Sequence, residues 1–344
     1  MYNKAIINTK PLGFTWESKD PFLFCVHHLD SYPRGNDQMG PDASLSGRNI
    51  GQDFTPKDGW RMYHGDTVPG FPMHPHRGFE TVTIVLEGIV DHSDSHGASG
   101  RFGHGDVQWM TAGSGLQHSE MFPLVNQKAD NPLHLFQIWL NLPKANKFVE
   151  PHYKMLWADE IPVLKSSDSQ GHSTEITVIA GKIEDTNAAE PAPDSWAADP
   201  NNEVAIWIGK MNPKAQWVLP AASQLLNRTL YFYKGSSIKL SGSEISSNVS
   251  VDLLSDQEIL IENGKDETQF LILQGRPISE PVVQYGPFVM NTQSEIQEAY
   301  ADYQKTQFGG WPWKRNDPVH SEAKSRFAKY SNGKEEKKDS LSDS

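Results

Sequence analysis

Short apolar segments separated by glycine-containing turns recur along the first half of the chain. Phe79–Leu86 is rich in β-branched and apolar residues and runs into the turn pair Glu87-Gly88. Val107–Thr111 follows another turn, and Leu133–Leu142 is a largely apolar stretch. Strands that recur every eight to twelve residues or so are typical of a β-sandwich or β-barrel. Because we find no helical pattern between the strands, the sequence argues against a parallel sheet with crossover helices.

The second half repeats this pattern of short strands. The predicted strands are Glu203–Ile208, Thr229–Tyr233, Ser236–Leu240, Val249–Leu254, Glu258–Ile261 and Thr268–Leu273. Between the halves, Glu184–Asn202 is rich in Ala, Pro, Asp and Asn, and we interpret it as a surface loop or linker. The chain is therefore predicted to be all-β.

One helix near the C-terminus interrupts the β pattern. Thr292-x-x-Glu295 is a capping box, in which each side chain satisfies a backbone N–H of the first turn. Apolar residues follow at helical spacing from Ile296 to Tyr303, and Gly309-Gly310 ends the helix. Beyond Tyr330 the chain is too polar to bury a core, and we expect it to be disordered.

Composition narrows the classes of function. The 344 residues include 31 Lys and Arg against 43 Asp and Glu, giving a formal charge of −12, which argues against direct binding to nucleic acid. No apolar run is long enough to span a membrane, and Met1–Lys10 lacks the apolar core of a signal peptide. The single cysteine, Cys25, fits a reducing compartment. We therefore expect a cytoplasmic protein without disulfides.

Histidines are concentrated in the first half, where two short motifs could build a metal site. Eleven of the 13 histidines lie at or before His152. His74-Pro-His76 and His118-Ser-Glu120 each place two side chains on one face of a strand, because residues i and i+2 point the same way. If the two strands face each other across a barrel, they supply three imidazoles and a carboxylate. This mixed donor set favours iron, manganese, nickel, copper or zinc over calcium.

Other interpretations of these residues stay open. The two motifs could instead form a hydrogen-bonded polar core. Glu80 shares strand parity with His76 and could replace Glu120 as a ligand, support a histidine ligand from behind, or lie exposed at a strand edge. The remaining histidines are weaker candidates: we expect His92, His96 and His104 to face solvent, and the adjacent His27 and His28 to face opposite ways.

Four separated motifs resemble the pirin family of the cupin superfamily. They are His74-Pro-His-Arg-Gly-Phe-Glu-Thr-Val82, Gly105-Asp-Val-Gln-Trp-Met-Thr-Ala-Gly113, His118-Ser-Glu-Met121 and Gly286-Pro-Phe-Val-Met-Asn-Thr292. They occur in the family's order over roughly residues 21–307. The chain departs from shorter members at Gly35–Arg61, at Glu184–Asn202 and in a C-terminal extension that contains Trp311-Pro312-Trp313.

The resemblance implies a bicupin, two jelly-roll-like β-barrels joined by exchanged terminal segments. It implies one metal, usually Fe(II), held by His74, His76, His118 and Glu120, with Glu80 as a pocket residue. On this basis we expect an N-terminal barrel with the metal site (residues 1–155) and a metal-free C-terminal barrel (156–290). A helix and strap (291–330) and a disordered tail (331–344) would follow.

The same resemblance implies quercetin 2,3-dioxygenase activity on a flavonol and O2. In such a reaction we expect Glu120, or Glu80 behind it, to accept the proton of the flavonol hydroxyl. The alternative is an iron-dependent regulatory protein that acts through a protein partner, as described for nuclear pirins. A third, weaker hypothesis is a cupin isomerase or a detoxifying enzyme for another small aromatic compound. Pirins are mostly monomeric, so the resemblance also implies a monomer.

Overall fold

A computed structural model describes residues 5–321 and 325–338 of the chain. Strands dominate the described residues, as the sequence predicts. In the first part of the chain they are β1 (Ile6–Pro11), β2 (Thr15–Glu17), β3 (Phe22–Tyr32), β4 (Gly70–His76), β5 (Phe79–Glu87), β6 (Ile89–Asp94), β7 (Ser99–Gly103), β8 (Val107–Thr111), β9 (Leu116–Met121), β10 (Asn131–Asn141), β11 (His152–Leu156), β12 (Val163–Ser167) and β13 (Ser173–Ala180). The rest are β14 (Lys182–Ile183), β15 (Thr186–Asn187), β16 (Ala205–Met211), β17 (Gln216–Leu219), β18 (Asn227–Lys234), β19 (Ser237–Leu240), β20 (Ser243–Ser246), β21 (Val249–Leu253), β22 (Ile259–Asn263), β23 (Thr268–Gly275), β24 (Val283–Tyr285), β25 (Phe288–Met290), β26 (Phe327–Lys329) and β27 (Glu335–Lys337).

The chain divides into two compact units, each assembled from separate segments. The first unit consists of Met1–Val26, Ile138–Asn141 and Asp159–Ser279, and the second of His27–Gln137, Leu142–Ala158 and Glu280–Ser344. This partition differs from the continuous boundaries that we expected at residues 155/156 and 290/291. The reason is strand pairing: β1 pairs antiparallel with β21 in the first unit, and β26 pairs with β7 in the second.

In the second unit, two sheets have the strand orders β11-β8-β5-β10-β3 and β27-β26-β7-β6-β9-β4. Their facing sides bury an aromatic-rich core that includes Tyr63, Phe102 and Trp157. The alternation of apolar and polar residues explains this arrangement, since it gives each strand one face for the core. These two sheets carry both histidine motifs, on β4 and β9.

In the first unit, a seven-stranded sheet has the order β1-β21-β18-β23-β16-β13-β12, and a four-stranded sheet the order β17-β22-β19-β20. The core between them is almost wholly aliphatic and aromatic, with Trp207, Phe232 and Phe270 at its centre. Glu184–Asn202 lies inside this unit, between β13 and β16, where it forms part of a two-stranded hairpin and two short 3-10 turns. It is therefore an insertion in one unit and not a linker between halves.

The one α-helix of the described residues, α1 (Gln293–Thr306), begins where the sequence predicts. Thr292 Oγ1 accepts a hydrogen bond from the Glu295 backbone N–H, and the Glu295 carboxylate accepts one from the Thr292 N–H, which completes the capping box. Ile296 and Ala299 are buried against Phe288 and Met290 of β25. None of the helical structure among the described residues is long and apolar enough to cross a membrane.

The C-terminal segment differs from the disorder that we expected for residues 331–344. Residues 331–338 are described and include β27, which pairs with β26. Trp157 Nε1 donates a hydrogen bond to the Glu336 carboxylate of β27. Strand pairing and side-chain hydrogen bonds therefore hold β27 in place, although its residues are too polar to bury a core. Residues 339–344, also predicted to be disordered, lie outside the described residues.

Candidate metal centre

The two histidine motifs lie side by side in one sheet. β4 and β9 pair antiparallel, and His74 is directly opposite His118. We expected the motif strands to face each other across a barrel, and this was wrong: neighbouring strands already bring opposed side chains on one face within about 5 Å. A register shift between Phe71 and His74 adjusts the pairing so that the histidines align.

Three imidazoles converge on one point. The ring centroids of His74 and His118 are 4.5 Å apart, those of His74 and His76 4.7 Å, and those of His76 and His118 4.9 Å. One ring nitrogen from each lies within 4.8 Å of the others. Such spacing allows three nitrogens to reach a common ion with small side-chain adjustments, because metal–nitrogen bonds of about 2.0–2.1 Å place ligand nitrogens a few ångströms apart.

Two of the histidines are oriented by backbone carbonyls. His74 Nδ1 lies 2.9 Å from the Pro72 carbonyl oxygen, and His76 Nδ1 lies 3.4 Å from that of Pro287. A carbonyl can only accept, so each Nδ1 carries the proton and each Nε2 presents its lone pair. Metal-binding histidines commonly use such a bond to fix the tautomer and the ring orientation.

The third histidine, His118, is buried with neither ring nitrogen bonded. It is 0% exposed, and its Nδ1 and Nε2 have no hydrogen-bond partner among the described residues. A buried polar atom without a partner costs about 1–3 kcal/mol, so native proteins rarely keep one without a function. A bound cation in contact with Nε2 would remove that cost.

Burial keeps the three imidazoles neutral. It lowers the pKa of His74 to about 4 and holds those of His76 and His118 well below the ordinary value for histidine. The neighbouring imidazoles act in the same direction for His76 and His118, because two adjacent positive charges repel. Neutral imidazole is the form that binds metals, so the cluster is in the right protonation state at neutral pH.

Glu120 lies beside the histidines and is held by the opposite sheet. Its Oε2 lies 3.7 Å from His118 Nε2 and accepts a hydrogen bond from Gln137 Nε2 at 2.5 Å. Its Oε1 accepts one from Thr83 Oγ1 at 3.1 Å. Burial raises the pKa of the Glu120 carboxyl, and these hydrogen bonds offset only part of the rise. The structure thus brings a positioned carboxylate next to the three imidazoles.

His92 is buried beside the cluster, contrary to the prediction. We expected it to face solvent, but it is 0% exposed and lies opposite Glu120 in the β6–β9 pair. Its ring is 5.5 Å from that of His118 and stacks on Tyr153 at 4.9 Å. His92-Ser-Asp94 has the spacing of His118-Ser-Glu120, and that repeat was the signal for a second inward-facing pair.

Glu80 lies on the face of β5 that points away from the histidine cluster. The prediction that it is a pocket residue was therefore wrong. Thr83, which contacts Glu120, and Phe79, which contacts His76, occupy positions of opposite parity to Glu80 on β5. The Glu80 carboxylate accepts hydrogen bonds from Trp109 and Thr111 of β8. The parity shared with His76 is lost because the strand breaks at Gly78, whose φ is 86°.

Four other histidines considered in the sequence lie outside the cluster. His96 and His104 are exposed, as predicted. His27 and His28 face opposite ways, also as predicted: His27 contacts His134, and His28 packs against Tyr63.

Lys147 fastens the backbone that follows the first histidine motif. Its buried ammonium donates to the carbonyl oxygens of Gly78 at 2.8 Å and Val289 at 3.0 Å. A Cβ added at Gly78 would meet the Val289 oxygen at 2.1 Å, so only glycine allows this close approach. Burial lowers the pKa of Lys147 to about 8, while Glu280 and Glu295 raise it in part.

The depressed pKa of Lys147 predicts a pH-dependent contribution to stability. The unfolded chain keeps this proton up to about pH 10.5 and the folded chain only up to about pH 8, so the unfolded state binds more protons between these values. The contribution to the free energy of unfolding is therefore lowest below pH 8 and rises by up to about 3 kcal/mol toward pH 10.5. Urea unfolding of wild type and Lys147→Met measures this contribution. The free energy of unfolding of wild type should rise relative to that of Lys147→Met as the pH increases from 8 to 10.5. A constant difference would contradict it.

The donor set fits a divalent transition metal. Neutral imidazoles, a buried carboxylate and an unbonded His118 ring suit iron, manganese, nickel, copper or zinc, and they offer too few oxygens for calcium. Three or four protein ligands leave coordination positions open, as in catalytic sites. The residues present therefore fit the group that the resemblance implies.

Comparisons with known proteins identify the family. The pirin family model matches residues 15–140, and the model of the pirin C-terminal cupin domain matches residues 206–309. The chain belongs to the pirin family. It is 37% identical over 245 residues to a Pseudomonas aeruginosa protein named "Putative quercetin 2,3-dioxygenase", covering 69% of this chain and 80% of that one. Arabidopsis thaliana Pirin-1 is also 37% identical over 245 residues, covering 70% of this chain and 78% of that one.

A solved structure extends the likeness to the fold of this pirin. The crystal structure of quercetin 2,3-dioxygenase from Acinetobacter baumannii has a TM-score of 0.67 and 26% identity, with 89% of this chain and 98% of that chain covered. The predicted all-β bicupin fold is thus confirmed, with a cupin domain on each side of the chain's midpoint.

Proposed function

We propose that this pirin is a metal-dependent dioxygenase that cleaves quercetin or a related flavonol with O2, using Fe(II) held by His74, His76, His118 and Glu120. The observation that carries the proposal is the convergence of three neutral imidazoles on one buried point beside a carboxylate. Support comes also from a relative named for this activity at 37% identity. The metal would act as a Lewis acid that lowers the pKa of a flavonol hydroxyl.

Within this proposal, Glu120 is the proton acceptor. Its carboxylate is buried, and burial raises its pKa above the ordinary value for glutamate, which makes it a better proton acceptor than an exposed carboxylate. Thr83 and Gln137 hold its two oxygens in fixed directions from the opposite sheet. A base whose geometry is fixed in advance loses little entropy when the substrate hydroxyl reaches it.

Aromatic residues around the cluster keep water away from the reacting groups. Phe79 is 0% exposed and its ring is 5.0 Å from that of His76. Phe71 approaches His74 edge-on at 6.3 Å. An apolar surrounding of this kind strengthens electrostatic interactions inside the site and also suits a planar aromatic substrate.

Oxygen uptake with quercetin tests the proposal. Protein purified without an affinity tag and loaded anaerobically with ferrous iron is expected to consume O2 and quercetin in equal amounts and to release carbon monoxide. The Glu120→Gln variant, which keeps the size of the side chain, is expected to lose at least about 100-fold in turnover because it cannot accept the proton. The exposed His96→Ala substitution is the matched control and should leave turnover unchanged.

The outcomes separate the dioxygenase from the regulatory hypothesis. Iron-loaded protein that consumes neither quercetin nor O2 would overturn the proposal for this substrate and favour a regulatory role. Loading with manganese, nickel, copper or zinc in parallel identifies the metal that supports turnover, because affinity alone follows the Irving–Williams order whatever the native metal is.

A further inference from the structure

The first unit, which carries no part of the histidine cluster, contains a cavity of about 570 Å³. This volume lies within the range of small-molecule sites, about 300–1,000 Å³. Its walls are mostly apolar: Trp207 and Ala205 of β16 line one side, and alanine and proline residues of the 184–202 insertion line another. The insertion therefore forms one wall of a cavity that is open to solvent on one side.

A buried arginine reaches this cavity from the central sheet. Arg228 on β18 has the same strand parity as Leu230 and Phe232, which belong to the core, so its side chain enters the interior of the unit. It is only 2% exposed and lines the cavity. Gln274, its cross-strand neighbour on β23, lines the same cavity.

The guanidinium is oriented by neutral groups and keeps one nitrogen available. Arg228 Nε donates to Gln274 Oε1 at 2.6 Å, and Nη1 donates to the Pro220 carbonyl oxygen at 2.9 Å. Among the described residues, Nη2 has no hydrogen-bond partner, and no carboxylate forms an ion pair with Arg228. Burial lowers the pKa of Arg228 only to about 10, so it is charged at neutral pH. The negative charge of Glu203 offsets only part of the effect of burial on this pKa, and without a direct ion pair the buried guanidinium can still accept an anion.

We propose that the cavity beside Arg228 binds a monocarboxylic acid with an apolar body, whose carboxylate pairs with the Arg228 guanidinium. The carboxylate supplies the counter-charge and accepts from Nη2, and the apolar body contacts Trp207 and the alanine and proline residues of the walls. Arginine suits this role because its planar fork matches a carboxylate.

The charges at the rim restrict the ligand to one negative charge. Glu184, Glu190, Asp199 and Glu203 all line the cavity, against Lys182 and Arg228. Glu203 is engaged by the Ser223 backbone N–H and lies 3.9 Å from Arg276, so it is held at the rim. Phosphate dianions and dicarboxylates would be repelled by these groups, whereas a single carboxylate carries only one charge for them to repel and pairs directly with the guanidinium.

Calorimetric titration with 4-phenylbutyrate and its neutral amide tests the proposal. The acid is expected to bind wild type and the amide to bind about 10- to 100-fold more weakly, as for loss of a charge-assisted hydrogen bond. Arg228→Met, whose side chain is similar in length but uncharged, should lower the affinity for the acid by a comparable factor. Lys165→Met, which removes a positive charge at an exposed residue of β12 outside the cavity, should leave the affinity unchanged.

Two further variants separate this site from the metal centre and from a folding defect. Carboxylates also bind metals, so the titration is repeated with chelated protein and with His118→Leu, and binding should persist in both. Ala222→Phe, which fills the cavity from its rim and leaves Arg228 in place, should abolish binding even if Arg228→Met fails to fold. Equal binding of acid and amide, unchanged binding in Ala222→Phe, or no binding at millimolar acid would overturn the proposal.

Discussion

Replacing His118 with leucine is expected to remove metal binding while leaving the metal-free protein as stable as wild type or more stable. The two ring nitrogens of His118 are buried and unbonded among the described residues, a cost of about 1–3 kcal/mol that leucine would not bear. Leucine fills a similar volume, so no large cavity should result. The opposite signs of the two effects would show that His118 is kept for binding and not for the fold.

Thermal unfolding with and without one equivalent of ferrous iron measures both effects. Wild type is expected to gain several degrees with the metal, because a ligand that binds only the folded state stabilises it by an amount that grows with the logarithm of its affinity. His118→Leu should gain nothing and should retain less than about one tenth of the iron found in wild type by mass spectrometry. His96→Leu, the same change at an exposed histidine, serves as the control. A metal-free His118→Leu protein several kcal/mol less stable than wild type would argue for a structural role instead.

The histidine cluster could be predicted because its geometry is local. Residues two apart on a strand share a face, so His74 and His76 had to converge whatever the rest of the chain did. The pairing of β4 with β9 joins segments that are distant along the chain, and periodicity does not predict which strands pair. Pairing through a bulge placed His118 directly opposite His74, a closer arrangement than the facing sheets we expected.

The errors at Glu80 and His92 have two different causes, one local and one tertiary. Parity counted from His76 to Glu80 assumes an unbroken strand, and Gly78 with its positive φ breaks it. His92 lies among charged and small residues that are typical of a solvent-facing hairpin. It is nevertheless buried, because Tyr153 of β11 stacks on its ring. Gln137 comes from β10, the strand that follows β9 along the chain but lies in the other sheet, and its contact with Glu120 depends on how the two sheets face each other. Such contacts are set by tertiary packing, which periodicity does not encode.

Arg228 illustrates the same limit in the first unit. On the sequence it precedes an apolar strand and resembles an ordinary strand-end cation. It is a buried charge beside a cavity because β18 lies between β21 and β23 in the sheet and because the 184–202 insertion forms a wall next to it. A polar, proline-rich segment predicts a loop, but what the loop covers depends on the sheet below it.

A buried ion pair that fastens the C-terminal extension should carry the largest stability effect outside the metal centre. Arg101 and Asp91 are cross-strand partners on β7 and β6, 2% and 0% exposed. Arg101 Nε and Nη2 donate to the two Asp91 oxygens at 2.7 and 2.8 Å. Arg101 also donates to the carbonyls of His320 and Ser321, and the His320 N–H donates to Asp91. Removing the guanidinium would leave the buried Asp91 carboxylate without its counter-charge, and the His320 and Ser321 carbonyl oxygens without their hydrogen-bond donor.

Arg101→Met is therefore expected to lower the free energy of unfolding by about 3–5 kcal/mol, measured by urea denaturation. The double substitution Asp91→Leu/Arg101→Met removes both charges and should recover much of that loss, since an apolar pair needs no counter-charge. Arg315→Met, which breaks an exposed pair with Asp317, is the matched control and should cost less than about 1 kcal/mol. In the double variant, amide exchange at His320 should still be accelerated, because the bonds that hold the extension are gone while the core is restored. An unchanged exchange rate there would show that β26 alone anchors the segment.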